Sequence, residues 1–393
     1  MKAFSFAWRS LVRQPARATL GIAGVAAVGA LLFDMLLLAD GLVISMRDLL
    51  DRSGFDIRVT ATDALPGGGP DIGDAAAAAS DIASLPSVQS VLTVRFADAT
   101  IEREGGTPVR SSLQGIGGAG RPWTIVRGTD LREPRDLVIN ENSARTLGAA
   151  PGERLAVRAS CTDEREALPP VTFRVAGVVT FPFDSPDAIT AATTARDLAD
   201  ACGDQHAGTA NVIVVTSTGD SVSAAADIAE RRPDLRAFTN EQAVARLEQG
   251  GFTYFRQIST VLITVTVSFA LLLITVLLTV SVNQRLGEIA ALRALGFSQR
   301  RVVADVLAES TLIVGIGGVL SLPLGVALAQ ALDRILKAMP QIPSALHFFV
   351  FEPRSLWIHI ALLASTAILA ALYPMRIVAR LPIAGTLRNE TVS

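Results

Sequence analysis

Four long apolar stretches constrain this chain more than any other feature of its sequence. They cover residues 18–42, 256–282, 302–333 and 356–374. An α-helix needs about 20 apolar residues to cross the hydrocarbon of a bilayer. Half of the 393 residues are hydrophobic and only 18% are charged, which is too apolar for an ordinary soluble protein of this length. The sequence therefore predicts a membrane protein with four transmembrane α-helices.

The first apolar stretch has an alternative interpretation, which is a cleaved signal peptide. Its apolar length exceeds the roughly 7–15 residues of a signal-peptide core. No convincing Ala-x-Ala cleavage site follows it. We therefore expect this stretch to stay in the protein as an uncleaved anchor and to form transmembrane helix 1.

Lysine and arginine residues near the ends of the spans predict the orientation of the chain. Eleven of them fall on one side if the chain crosses four times, in the basic N-terminus 1–17, the linker 283–301 and the tail 375–393. The opposite side keeps three basic residues in the short loop 334–355. Because positive residues concentrate in the cytoplasm, we expect both ends inside the cell, residues 43–255 outside and the chain in the cytoplasmic (inner) membrane.

Residues 43–255 form a large acidic segment between the first and second spans. They carry 20 Arg, no Lys and 29 acidic residues, whereas the rest of the chain carries 15 basic and 8 acidic residues. Two parts of the segment read as strand, helix and strand, and each contains Asp-Ile-Ala before a proline, at Asp81–Ala83 and Asp227–Ala229. Two βαβ units predict a ferredoxin-like α+β domain. Residues 105–205, between the units, predict an inserted β-rich lobe.

Two cysteines, Cys161 and Cys202, lie in this predicted extracytoplasmic domain. An oxidising compartment allows them to pair and close the inserted lobe, and the alternative is two unpaired small residues. The histidines are His206, His347 and His359, and none stands at ligand spacing from a cysteine or another histidine. The sequence thus predicts no metal site and leaves the cysteine pairing open.

The linker between the second and third spans reads as a short helix. Residues from Glu288 to Leu295 favour a helix, and Gly296 is a natural C-terminal stop. Ile289, Leu292 and Leu295 share one side, yet Glu288 lies within that arc, so the helix is not cleanly amphipathic. Two interpretations remain open on physical grounds: a hairpin that only joins two spans, or a helix held by a protein partner.

This linker, in this topology, resembles the signature of MacB/FtsX-like (MacB/LolC-type) ABC-transporter permeases. Further resemblances lie in the basic N-terminus, in "VINENSARTLGAAPGERLAV" of the large loop and in the tail "PMRIVARLPIAGTLRNE". Ala290 stands where the family usually has glycine, and Arg285 alone remains of the usual basic run before Glu288. The matching residues of the linker are Glu288, Ile289, Leu292, Arg293, Ala294, Leu295 and Gly296.

The resemblance implies a mechanism and a set of partners. In the family, two permeases form a dimer, and each presents this coupling helix (283–301) to a cytoplasmic ABC ATPase subunit that binds ATP and Mg. The resemblance assigns the ATPase contact to Glu288, Ile289, Leu292, Arg293, Leu295 and Gly296. The chain itself has no GxxxxGK[ST] loop, so we expect no cofactor in this chain. The expected partners are that ATPase, a second permease (identical or related), membrane lipid and an optional periplasmic adaptor, but no nucleic acid.

Three functions compete at this stage. The first is a permease that exports or extracts a lipidic, lipoprotein or amphiphilic substrate, and the second is an FtsX-like transmembrane signaller that regulates a cell-wall hydrolase. The large two-lobed domain favours the first. The third is a membrane-anchored enzyme, but no G-x-S-x-G, H-E-x-x-H or paired-carboxylate motif supports catalysis. The sequence leaves open the substrate, the composition of the dimer and the involvement of an outer-membrane channel.

Two acidic residues fall within the predicted spans. Asp34 lies in the first span, where a carboxylate is expensive and usually faces protein or a cavity. It either communicates with the outside domain or a sister protomer, or it lies near the headgroups because the helix continues outwards. Glu309, in the third span, is expected near the inner headgroups for the second of these reasons.

Overall fold

The structure is a computed structural model that describes residues 12–13, 15–64, 69–161, 168–203, 207–249, 252–284, 299–339 and 342–379. The chain divides into two compact units. The helical unit comprises Met1–Leu42, Gly251–Arg334 and Phe348–Ser393. The second unit, which we call the sheet domain, comprises Val43–Gly250 and Ile335–His347.

The secondary structure alternates between the two units in chain order. The elements are α1 (Pro15–Arg52), β1 (Ile57–Thr60), α2 (Ala75–Ala83), β2 (Val88–Arg103), β3 (Val109–Gly118), β4 (Thr124–Gly128), β5 (Asp136–Asn140), α3 (Glu141–Leu147), β6 (Arg154–Ser160), β7 (Val171–Thr180), β8 (Thr190–Thr194), α4 (Ala195–Ala201), β9 (Val212–Ser217), α5 (Ser221–Arg231), β10 (Arg236–Thr239), α6 (Asn240–Gln249), α7 (Phe252–Asn283), α8 (Gln299–Lys337) and α9 (Pro353–Ala379).

Four helices, α1, α7, α8 and α9, are long and apolar enough to cross a membrane. Each contains one of the stretches predicted as a span. Helices are the natural solution because the bilayer core offers no water to backbone N–H and C=O groups, which must therefore bond within the segment. α1 has 38 residues and does not stop where its apolar stretch ends. Its last ten residues, 43–52, belong to the sheet domain.

The first half of the sheet has the ferredoxin-like arrangement. Its strand order is β10-β1-β9-β2, and every neighbouring pair is antiparallel. α2 connects β1 to β2 and α5 connects β9 to β10, so two βαβ units interleave. Both helices pack on one face of this sheet, where the alternating strand residues Ile57, Val59, Ile213 and Val215 form an apolar core with them. The predicted α+β fold class is confirmed.

The inserted lobe extends the same sheet. β2 is 16 residues long and pairs with β9 through its first part, with β3 from Leu92 onwards and with β6 through its last residues. β3 then pairs with β8 in parallel, and the path continues through β5, β7 and β4. One long strand therefore joins the two lobes, and the described residues form a single ten-stranded mixed sheet.

A short helix begins and ends in the lobe at residues whose chemistry favours those positions. The side chain of Asn140 accepts a hydrogen bond from the Ser143 N–H and caps the start of α3. Gly148 ends the helix in the left-handed conformation with a φ of 60°, which glycine adopts without steric penalty. The sequence reading of strand, short helix ending at Gly148 and strand matches these elements.

Cys161 and Cys202 meet at the edge of the lobe core. Their Cα atoms lie 5.7 Å apart and their sulfur atoms are bonded. Cys202 is fully buried in the core of the inserted lobe, and Cys161 packs against the same core. The bond closes a segment with a sequence separation of 41 residues and ties the end of β6 to the end of α4.

We expect this bond to form in the mature protein and to stabilise the sheet domain. Closing a segment of this length lowers the entropy of the unfolded chain, and its loss should lower the free energy of unfolding by about 3–4 kcal/mol. Urea unfolding of the detergent-solubilised chain, with and without a reductant, measures the change without altering any side chain. Thiol alkylation followed by mass spectrometry, with both cysteines free before reduction, would contradict the prediction.

Candidate functional site

The chain enters and leaves the sheet domain through one hydrogen-bonded junction. Asn240, the first residue of α6, is buried and bonds to the end of α1 and to the segment that follows it. Its Nδ2 group donates to Oδ1 of Asp51 (2.9 Å) and to the carbonyl oxygen of Phe55 (3.0 Å). Its Oδ1 atom accepts from the guanidinium of Arg58. The junction thus joins α1, β1 and α6.

Arg58 gives the junction its energetic weight. The residue is only 8% exposed, and burial lowers the pKa of its guanidinium to about 10, although Asp51 and Asp56 act in the opposite direction. The side chain therefore remains charged at neutral pH and depends on its partners, because a buried charge without hydrogen bonds is strongly destabilising. Phe238, opposite Arg58 in the β1–β10 pair, packs with Leu50 of α1 and Ala243 of α6.

The loop between α8 and α9 also bonds to the sheet domain. The Ser344 N–H donates to the carbonyl oxygen of Asp184 (2.9 Å), and the His347 N–H donates to Oγ of Ser45 on α1 (2.7 Å). The carboxylate of Asp184 accepts from Asn140 (2.6 Å) and Thr190 (2.8 Å). Burial raises the pKa of Asp184, although these two hydrogen bonds oppose the shift. The outer end of a second helical pair is thereby tied to the same domain.

A cleft lies on the face of the ferredoxin-like sheet that α2 and α5 leave open. Its volume is about 380 Å³. The outer part of α1, the helix α6 and the segment 181–184 form its walls. Among its lining residues only Phe96 and Phe183 are exposed, by 40% and 47%. Sequence reasoning missed this cleft. Its lining residues are Met46, Leu50, Ser53, Phe55, Arg58, Val94, Phe96, Gln114, Pro122, Phe181, Pro182, Phe183, Asp184, Val212, Val214, Phe238, Ala243 and Leu247.

Two parts of the sequence match protein families. Residues 18–232 match the MacB-like periplasmic core domain, and residues 260–383 match the FtsX-like permease C-terminal domain. The first match alone covers more than half of the chain. This chain belongs to the MacB/FtsX-like family of ABC-transporter permeases. The resemblance inferred from the linker and the span pattern is confirmed.

Solved structures of similar domains agree with this assignment without adding to it. The periplasmic region of MacB from Actinobacillus actinomycetemcomitans is 14% identical, covers 51% of this chain and 98% of its own, and has a TM-score of 0.39. The extracellular domain of the noncanonic ABC-type transporter YknZ from Gram-positive bacteria is also 14% identical, covers 47% and 98%, and has a TM-score of 0.34. No curated protein matches the permease sequence.

The predicted coupling residues of the permease lie outside the described residues. These are Glu288, Ile289, Leu292, Arg293, Leu295 and Gly296. α7 ends at Asn283 and α8 begins at Gln299, so their flanking helices are described. Their contact with an ATPase therefore stays a prediction. Within the described residues, no group of three or more His, Cys, Asp or Glu side chains could hold a metal ion.

The acidic residues predicted within the spans of the permease are both buried in the helical unit. Asp34 has no exposed surface, and within the described part of the chain neither of its carboxylate oxygens has a hydrogen-bond partner. Its helix continues outwards to Arg52, as one of the two sequence interpretations requires. Glu309 is 8% exposed on α8. The structure brings neither residue into contact with the junction or the cleft of the sheet domain.

Small residues let α1 and α8 approach closely beside Asp34. A Cβ atom placed on Gly29 would lie 2.7 Å from the Cβ of Ser321, and one placed on Gly317 would lie 2.7 Å from the Cβ of Val25. Ser321 also lies 3.0 Å from Nε2 of His359 on α9, through its hydroxyl oxygen. The glycines of these spans are therefore packing surfaces within one chain, in agreement with helix association in lipid.

Asn240→Ala should destabilise the sheet domain by about 2–3 kcal/mol. The substitution removes the acceptor of a buried guanidinium and leaves that donor unsatisfied. Urea unfolding of the full chain in detergent measures the loss. Asn142→Ala is the matched control, because Asn142 donates one 3.2 Å hydrogen bond from a half-buried position on α3. An equal effect of the two substitutions would contradict the special role of the junction.

Asp34→Leu should raise the free energy of unfolding of the permease by about 1–3 kcal/mol, because it removes a buried polar group without partners. Thermal unfolding in detergent measures the change. Asp48→Leu on the exposed outer part of α1 is the control, and we expect it to alter stability by less than about 0.5 kcal/mol. A loss of stability in Asp34→Leu would show that the carboxylate has a stabilising partner in the assembled complex.

Proposed function

We propose that this permease couples ATP hydrolysis by a separate cytoplasmic ABC ATPase to movement of its MacB-like domain, and thereby exports or extracts a lipidic, lipoprotein or amphiphilic substrate. The family assignment supports this function. The sequence contains no GxxxxGK[ST] loop, so the nucleotide site belongs to the partner. ATP and Mg bind there, and the permease contributes mechanical work without catalysing a reaction.

One observation carries the proposal: α1 is an unbroken helix that extends from a predicted span into the junction at Asn240. A continuous helix transmits displacement because its backbone hydrogen bonds resist stretching. Asp51 at its end bonds to Asn240, and Ser45 within its outer part accepts a hydrogen bond from the α8–α9 loop. A shift of the spans therefore acts on the sheet domain at several points at once.

The ATPase-coupling role belongs to the linker between α7 and α8. Glu288 and Arg293 would make electrostatic contacts with a cleft of the ATPase, while Ile289, Leu292 and Leu295 would fix the orientation of the helix. Gly296 would end the helix. A span at each end lets this short helix move as a unit.

The arrangement in the membrane follows from the charge pattern. Both ends of the chain and the linker would lie in the cytoplasm, and the sheet domain would lie outside the inner membrane. A second permease, either identical or related, would complete the transmembrane part. A periplasmic adaptor is the partner that the outer surface of the sheet domain would receive. The match to a MacB-like core domain does not favour the alternative of a signaller that regulates a cell-wall hydrolase.

Charge reversal at both Glu288 and Arg293 should uncouple hydrolysis from transport. Because the double variant reverses both electrostatic contacts, we expect substrate-stimulated ATPase activity of the reconstituted complex to fall roughly tenfold or more. The variant with Glu141→Arg and Arg145→Glu, two exposed residues of α3, is the matched control and should keep full activity. Normal stimulated hydrolysis and transport in the Glu288/Arg293 variant would overturn the assignment.

A further inference from the structure

The open face of the ferredoxin-like sheet requires an apolar cover that the chain supplies only in part. Strand residues alternate between the two faces of a sheet. Ile213 and Val215 of β9 therefore pack under α2 and α5, whereas Val212 and Val214 face the opposite side. The outer part of α1 and the helix α6 cover that side through Leu50 and Ala243. The cleft is the space that remains between these helices and the segment 181–184.

The chemistry of the cleft is that of a ligand site rather than of a residual gap. Its volume of about 380 Å³ lies within the roughly 300–1,000 Å³ typical of small-molecule sites. Four of its 18 lining residues are polar: Ser53, Arg58, Gln114 and Asp184. The guanidinium of Arg58 already bonds to Asn240. Arg58 and Asp184 carry opposite charges, so the lining presents no excess charge to attract a polar or ionic ligand.

The mouth of the cleft carries two exposed aromatic side chains. Phe96 on β2 and Phe183 in the segment 181–184 are the exposed residues among its lining. The backbone of Phe96 is held by a 2.6 Å hydrogen bond from its N–H to Oδ1 of Asn211. Apolar side chains exposed beside an apolar cavity gain free energy when a hydrocarbon covers them, because water leaves both surfaces.

We propose that this cleft binds the single hydrocarbon chain of an amphiphile, with its polar head at the mouth beside Phe96 and Phe183. The elongated apolar interior suits a hydrocarbon chain, since it offers contact surface and few hydrogen-bonding groups. The source of the ligand is the adjoining leaflet of the bilayer, because Met46 and Leu50 in the cleft wall lie on α1, the same helix that forms the first span.

A folded protein partner is a poorer occupant. A stable protein interface uses about 20–30 residues a side on an accessible surface, whereas the lining of this cleft is mostly buried or half-buried. The inference rests on the proposed function in one respect, the amphiphilic nature of the substrate. It is independent of nucleotide, because the cleft lies wholly within the sheet domain.

Occupancy of the cleft also has a mechanical consequence. Asp184 lines the cleft, and its carbonyl oxygen accepts the hydrogen bond from Ser344 in the α8–α9 loop. Leu50 lines the cleft from α1, one residue before the Asp51 carboxylate that bonds to Asn240. A chain inserted between these walls therefore touches two of the attachments through which the spans act on the sheet domain.

The test uses the full chain in phospholipid nanodiscs without nucleotide and a palmitic acid probe with a photoreactive diazirine in its chain. After irradiation, mass spectrometry of the peptides should find label on residues 43–58, 181–184 and 236–249, and unlabelled palmitic acid should compete it away. The double variant Phe96→Ser and Phe183→Ser should reduce this labelling roughly tenfold. Both residues are exposed, so the fold should survive.

Two further variants sharpen the result. Ile125→Ser with Val126→Ser removes two exposed apolar side chains of β4, which do not line the cleft, and should leave the labelling unchanged. Val214→Trp should fill the cleft and abolish the labelling. Thermal unfolding of each variant shows whether the fold is retained, and the two-phenylalanine variant decides the test if Val214→Trp does not fold.

Several outcomes would overturn the proposal. Label confined to residues of the spans would do so, as would cleft labelling that is unchanged in the Phe96/Phe183 variant. Cross-links between two copies through the cleft would assign it to a protein interface instead. Stimulation of the ATPase is measured separately: cleft labelling without any stimulated hydrolysis would count against the proposed function and leave the binding site standing.

Discussion

The buried hydrogen bonds of Asn240 hold together the place where the polypeptide passes between its two units. One amide side chain bonds to the end of α1, to the segment after it and to the buried guanidinium of Arg58. These groups stand about 190 residues apart in the sequence, so the sheet domain closes on itself there. Water cannot replace the lost partners at a buried site, which makes the arrangement an all-or-none one. The spacing of α1 and α6, and thus the width of the cleft between them, depends on it.

The two faces of the ferredoxin-like sheet serve different purposes. One face buries its alternate residues under α2 and α5 and needs nothing more. The other is covered by elements that lead into the membrane, and this cover is incomplete. A soluble domain would usually complete such a core, since an unfilled apolar space forfeits dispersion contacts. In this permease, the incomplete cover coincides with the elements that would move, which links binding of an amphiphile to transmission of force.

The sequence predicted those parts of the fold whose signals are local. The four apolar stretches, the two βαβ units and the short helix ending at Gly148 all have periodicity or capping residues within a window of about ten to twenty residues. The strands β3, β4 and β8 were not predicted. β3 contains Gly115, Gly117 and Gly118, β8 is built from Thr and Ala, and all five residues of β4 are exposed. Their pairing partners, and not their own side chains, decide that they are strands.

The sequence by itself determined that the chain crosses a membrane, that its large domain carries interleaved βαβ units and that it belongs to a known family, because hydrophobic length, periodicity and motif spacing are written along the chain. Only the tertiary structure decided that α1 continues into the sheet domain, that β2 merges two lobes into one sheet and that a cleft opens between α1, α6 and residues 181–184. Those features arise from contacts between residues far apart in sequence, whose closure depends on the packing of the whole domain.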